Sequence, residues 1–230
     1  MCAKMREVKA VLFDLDGVLV DSFESWRSAF NAMLRKYRRK ELSVEEFREK
    51  CWGPELHENL KKFGLDASAG EFCLKEQLKH IEDVKLFPKV REVLHSLREC
   101  GFKLGLVTNT PRENTLKILA HFKLHFDVVV TRDDVRAGKP NAEMVLLACK
   151  KLSLRPENAI LVGDTESDFL AGKNAGCLTV AFNANGGDLK IERLEDLLRI
   201  LNCNKRRGGG GKGEKRGCSC DCTRKIDIIR

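Results

Sequence analysis

Four acidic side chains stand at spacings that could bring them to one site: Asp14 and Asp16 in DLDG, and Asp164 and Asp168 in GDTESD. Carboxylates gathered in one place repel an anion and attract a hard cation. Asp14, Asp16 and Asp164 make an oxygen-rich set of the kind Mg²⁺ prefers. With that ion bound, the pocket can accept a phosphoryl group that the acids alone would repel. Lys139 adds a point charge, and Thr108 with neighbouring main-chain N–H groups adds oriented donors. In such a field the Asp14 carboxylate can attack phosphorus in line. Asp16 can protonate the departing alcohol and later take a proton from water. The chemistry expected of these residues is phosphoryl transfer through an aspartate.

The elements that must position these groups follow from the apolar pattern. Short β-branched runs over 8–13, 103–107, 127–130, 159–162 and 178–182 read as buried strands. Helical patterns over 89–99, 112–121, 142–152 and 167–175 lie between them. Strands alternating with helices predict an α/β fold, a Rossmann-like parallel sheet covered by helices on both faces. Each polar group named above follows a strand, at the sheet edge where open α/β folds bind ligands. Residues 18–86 break the rhythm: they hold no buried strand, but Trp26, Phe30, Met33 and Leu34, then Leu56, Leu60 and Phe63, recur at helical spacing. That stretch predicts a helical cap inserted after the first strand, with hinges near 17–21 and 84–88. The core then comprises 1–17 and 87–204, closing with a helix over 188–201, and 205–230 reads as a flexible basic tail.

Taken together, DLDGVLVDS (14–22), VTNT (107–110), GKPN (138–141) and VGDTESD (162–168) resemble, in order and spacing, the four motifs of the haloacid dehalogenase superfamily. The resemblance covers roughly residues 8–200. It implies that Asp14 is the nucleophile and Asp16 the general acid/base. It also implies that the Asp14 and Asp164 carboxylates, with the Asp16 carbonyl, hold Mg²⁺. Asp168 would stand behind those ligands, positioning water or Lys139. Thr108 and Asn109 would bind phosphoryl oxygens, and Lys139 would neutralise nucleophile and phosphate. An acid at position 16 fits a phosphatase or phosphomutase, since a halide leaving group needs no proton. The helical insertion is similar to the cap of the phosphoglycolate-phosphatase and β-phosphoglucomutase subgroup, with Trp52-Gly53-Pro54 resembling the cap loop that descends on the site. The expected substrate is a small phosphorylated metabolite, 2-phosphoglycolate first among them, and a sugar phosphomutase on the same fold is the alternative. Arg48 and Lys50, close to that loop in sequence, either meet an anionic substrate or belong to a solvated helix face.

Composition bears on the rival readings. The net charge of +8 suggests a polyanion partner, but residues 205–230 hold nine Lys/Arg against three Asp/Glu. Taking that +6 from the total leaves +2 for residues 1–204, and no aromatic is interleaved in the tail, so nucleic acid is not the expected partner. No run approaches the roughly 18 apolar residues that span a bilayer, and no small-residue cleavage site follows the N-terminus. A cytoplasmic location is expected. Of the ten cysteines, seven are scattered singly, which predicts reduced thiols rather than a disulfide framework. Three cluster as Cys218-Ser219-Cys220-Asp221-Cys222, tighter than the usual zinc spacing, and metal binding there is a remote alternative. The five histidines show no ligand spacing. A phosphorylated signalling receiver uses similar acids, yet its lysine comes last, whereas Lys139 precedes Asp164.

Overall fold

The computed structural model describes residues 6–203 and 225–226. The chain opens with β1 (Arg6–Glu7) and enters the central strand β2 (Ala10–Phe13). Along β2, Val11 and Phe13 point into one core layer, and Ala10 and Leu12 into the other. Two buried faces explain why the strand reads as a continuous apolar run. After β2 comes the short β3 (Val20–Asp21), then four helices: α1 (Phe23–Lys36), α2 (Val44–Lys50), α3 (Leu56–Lys62) and α4 (Ala67–Lys79). The strand β4 (Lys85–Leu86) returns antiparallel to β3. The helical insertion thus leaves and rejoins the sheet domain through a two-stranded ribbon.

The remainder alternates. It runs α5 (Val90–Glu99), β5 (Lys103–Val107), α6 (Arg112–Phe122), β6 (Val128–Val130), α7 (Glu143–Lys151), β7 (Ala159–Gly163), α8 (Glu166–Ala175), β8 (Leu178–Phe182), β9 (Leu189–Ile191) and α9 (Asp196–Ile200). The sheet order is β6-β5-β2-β7-β8-β9, parallel throughout. Side chains of α5, α6 and α9 pack on one face, and those of α7 and α8 on the other. The chain moves outward from β2 through β5 to β6, then crosses back to β7 on the other side. That reversal opens a crevice at the C-terminal ends of β5, β2 and β7, the standard ligand position in open α/β sheets.

The insertion has its own core, in which Phe23, Phe30, Met33 and Leu34 of α1 meet Phe47, Leu60 and Cys73. Local signals set its helices. Ser43 and Glu46 form a capping box on α2, and Asp66 caps α4 by accepting from Ser68 and Ala69 N–H.

Two expectations need correction. The helix expected over 188–201 is instead the edge strand β9 followed by the five-residue α9. Ile191, Leu194, Leu197 and Leu201 are buried at intervals of three and four, which imitates a helical stripe although only its second half is helical. Cys100 and Cys203, expected as lone thiols, are joined as a disulfide with Cα atoms 6.0 Å apart. Cys51, Cys73, Cys149 and Cys177 are free and buried. The expected tail over 205–230 and its cysteine cluster lie outside the described residues, apart from β10 (Lys225–Ile226), which pairs with β1.

Candidate active site

The strand ends deliver the acids to one place. Asp14 is the first residue beyond β2, and its N–H donates to the Val162 carbonyl of β7. Gly17 makes the tight loop that follows. Its φ is +79°, and a Cβ there would lie 2.1 Å from Asp164 Oδ2, so no other residue fits without displacing that acid. Asp164 follows β7, and Asp168 sits in the first turn of α8. The carboxylates of Asp14, Asp164 and Asp168 offer ligand oxygens within 4.8 Å of one another.

Lys139 enters this cluster from the loop before α7, across a cis Lys139–Pro140 peptide bond. Its side chain is buried, with Nζ 2.8 Å from Asp14 Oδ1 and 2.6 Å from Asp168 Oδ1. Burial works against its charge, but Asp14 and Asp168 outweigh burial and hold the ammonium above its ordinary pKa. Asp168 is engaged through both carboxylate oxygens. Its second oxygen accepts from Thr165 N–H and Oγ1–H in a capping box. It therefore anchors Lys139 and the start of α8 together.

Three carboxylates against one ammonium leave two uncompensated negative charges in a buried space. Burial, then Asp168, Asp164 and Asp16, push Asp14 well above the usual carboxylate range despite Lys139. Burial and then Asp168 push Asp164 up to about 7. Asp164 Oδ1 is also the one buried side-chain oxygen or nitrogen among the described residues with no hydrogen-bond partner. Buried polar atoms are normally satisfied. A divalent cation held by Asp14 and Asp164 would satisfy that oxygen and cancel the excess charge, and oxygen ligands of this kind suit Mg²⁺. The donor set fits the ion.

The Asp16 carboxylate stands apart from this cluster. Oδ1 accepts from Ser22 Oγ–H and from Trp26 Nε1–H at 3.1 Å, and Oδ2 accepts from Thr110 Oγ1–H at 2.5 Å. Three donors from the ribbon, the cap and the loop after β5 hold it beside the cavity. Thr108 is buried at the end of β5, its Oγ1 accepting from Thr110 N–H. Asn109 lines the same cavity. Its amide accepts from Lys139 N–H at 2.8 Å and donates to the Lys139 carbonyl at 2.9 Å, so its side chain fixes the lysine loop.

Trp52 and Gly53 of the cap loop lie against the strand-end residues Asp164 and Thr165. Trp52 Nε1 donates to Asp164 Oδ2 at 3.3 Å, and Gly53 passes so close to Thr165 that a Cβ would lie 3.3 Å from its methyl. Arg48 and Lys50 do not face the cavity. Arg48 stacks over the Phe23 ring at 4.1 Å, and Lys50 lies 3.6 Å from Glu46 on the surface.

Several residues here carried no functional reading from sequence. Glu55, on the cap loop, is buried and accepts from Gly138 N–H at 2.7 Å and from Arg132 Nε–H. It ties the cap to the loop that carries Lys139. A Cβ on Gly138 would lie 2.3 Å from Glu55 Oε1, so this approach requires glycine. A second tie joins Gln77 of α4 to Asn114 of α6 at 2.7 Å. Ser22 and Thr110 lie within two of the motifs, and that position was the only available signal. Trp26 reads by periodicity as cap core, which conceals its bond to Asp16.

Comparisons with known proteins show the family and the fold. The profile of the haloacid dehalogenase-like hydrolases matches residues 11–182. Pyrophosphatase PpaX of Bacillus mycoides is 34% identical over 212 residues, covering 85% of this chain and 97% of that protein. Two solved structures share the fold. A predicted phosphoglycolate phosphatase from Haemophilus somnus has TM-score 0.71 at 23% identity, covering 84% of this chain and 97% of that one. A β-phosphoglucomutase from Clostridium difficile has TM-score 0.73 at 20% identity, covering 83% and 93%. With acids at two adjacent strand ends, Thr108 at a third, and a profile match across both core and cap, the chain belongs to the haloacid dehalogenase-like hydrolase family.

Proposed function

We propose that this protein is a Mg²⁺-dependent phosphomonoesterase of small phosphorylated metabolites that works through a phosphorylated Asp14. The observation that carries the reading is the Asp14–Lys139–Asp168 array beside the unpartnered Asp164 Oδ1. It combines a restrained nucleophile with a buried oxygen that a cation would satisfy.

Asp14 Oδ1 is held by Leu15 N–H and Lys139, which leaves Oδ2 to attack phosphorus. The P–O bond to the alcohol breaks, Asp14 gains the phosphoryl group, and the alkoxide takes the Asp16 proton. For that, Asp16 exchanges one of its three hydrogen bonds for the leaving oxygen. The charged Asp16 then removes a proton from water, which attacks phosphorus and frees Asp14. Lys139 stabilises charge on the equatorial oxygens, assisted by Thr108. Asp14, Asp164 and the Asp16 carbonyl would hold Mg²⁺, which would supply Lewis-acid neutralisation of the phosphoryl oxygens. The cap ties at Glu55 and Gln77 keep bulk water out while the acyl phosphate exists.

The test is phosphate release with and without Mg²⁺ in the wild type and in Asp14→Asn, which keeps the shape but not the nucleophile. Metal-dependent release in the wild type alone is expected; an Asp14→Asn enzyme retaining most of its turnover overturns the reading. The names of the relatives divide between pyrophosphatase, phosphoglycolate phosphatase and phosphoglucomutase. Including β-glucose 1-phosphate and following its conversion to glucose 6-phosphate separates hydrolysis from phosphomutase chemistry.

A further inference from the structure

Resting on the phosphatase reading above, we infer that the leaving group of the natural substrate is uncharged and apolar. The cavity over Asp14 is closed on its cap side by Trp26, Phe30, Phe47, Trp52, Pro54 and Leu56. That wall faces whatever the phosphoryl group is attached to. Its polar members are already engaged. Asn59 donates to the Cys51 carbonyl and accepts from Lys62. The two indole N–H groups are given to Asp16 and Asp164.

The charges point the same way. Among the described residues, Lys139 is the one cation lining the cavity, and it is committed to Asp14 and Asp168. Arg132, behind the wall, is engaged by Glu55 and by the Val135 and Arg136 carbonyls. Asp16, Glu55 and Asp164 line the same space. A carboxylate or second phosphate on the leaving group would be buried beside three acids and aromatic faces, with no free cation to meet it. Juxtaposed like charges and unpaired buried charges are both costly. An aryl, benzyl or alkyl body gains from the same wall by burial against the rings. This departs from what 2-phosphoglycolate or pyrophosphate would require, since each places an anion there.

A matched pair of substrates tests the inference on the full-length wild-type chain. Benzyl phosphate and 4-carboxybenzyl phosphate have the same reacting group and nearly equal leaving alcohols, and differ in one distal carboxylate. With saturating Mg²⁺, kcat/KM for benzyl phosphate is expected to exceed that for the carboxylate by about 100-fold, and by at least tenfold. A hundredfold ratio is about 2.8 kcal/mol at 1.4 kcal/mol per decade. Benzyl phosphate is likewise expected to outrun 2-phosphoglycolate and pyrophosphate. A ratio below tenfold, or preference for either of those two anions, overturns the inference and leaves the Asp14 chemistry standing. Release of phosphate from none of the four compounds would instead remove the phosphatase reading, and this inference with it.

Discussion

Replacing Asp164 with asparagine should stabilise the metal-free protein while abolishing its response to magnesium. Asp164 Oδ1 is buried without a partner, and burial, then Asp168, push the pKa from 3.8 to about 7. Because the folded-state value lies above the unfolded one, the protonated acid favours folding. That contribution is complete below about pH 4 and is lost as pH rises through about 7. A rise from 3.8 to about 7 corresponds to at most about 4 kcal/mol. Asparagine keeps an oxygen to accept the Trp52 N–H but removes the charge from the crowded cluster. At roughly 2–4 °C per kcal/mol for a chain of this size, Tm in EDTA at pH 8 should rise by up to about 8–16 °C. At pH 5 the folded wild-type acid is protonated and the unfolded one is ionised, so the gap should shrink to about 1.6 kcal/mol, or roughly 3–6 °C. Mg²⁺ should then raise the Tm of the wild type and not of the variant. Differential scanning calorimetry at both pH values, with and without metal, measures all four quantities. An Asp164→Asn protein melting at or below the wild type at pH 8 without metal refutes the charge-crowding argument. One that still gains stability from Mg²⁺ removes Asp164 from the metal site.

Other consequences concern the cap, the acid and the thiols. Glu55→Gln retains an acceptor for Gly138 N–H but loses the charged bond from Arg132. It should lower stability by about 1–2 kcal/mol and make Trp52 fluorescence easier to quench with acrylamide, whereas unchanged quenching would deny the tie a role in cap closure. Asp16→Asn should leave phosphorylation of Asp14 detectable while slowing its hydrolysis, read as accumulation of phosphoenzyme after rapid acid quench; prompt turnover would relieve Asp16 of its proton-transfer role. Burial pushes the Cys51 thiol up to about 11 and the Cys73 thiol up to about 12. Both should resist iodoacetamide at pH 8 in the folded protein and react on unfolding, and peptide mass spectrometry would expose any early labelling.

What could be read in advance was whatever the chain expresses locally. Asp14, Thr108 and Asp164 each follow an apolar run, so the strand ends that carry them were visible in the pattern, and the parallel sheet with them. The helical insertion was visible because its apolar residues recur at helical spacing. The losses share a cause: they are contacts between distant segments. Nothing near Asn109 says that its amide closes on a backbone 30 positions away. Glu55 looks like any surface acid beside His57 until the fold brings Gly138 and Arg132 to it. Trp26 and Trp52 each have an apolar body that packs in the cap and an N–H that reaches the acids, and periodicity registers only the body. The strand β9 is three residues long, too short for alternation to outweigh the longer stripe that follows.

The central claim is that Asp14 itself receives the phosphoryl group. Rapid mixing of the Mg²⁺-loaded enzyme with a turned-over phosphomonoester, acid quench and borohydride reduction converts an aspartyl phosphate to homoserine at the position that carried it. The account predicts homoserine at position 14, dependent on both substrate and metal. Phosphate release at full rate with an unmodified Asp14, or homoserine at another acid, would contradict it.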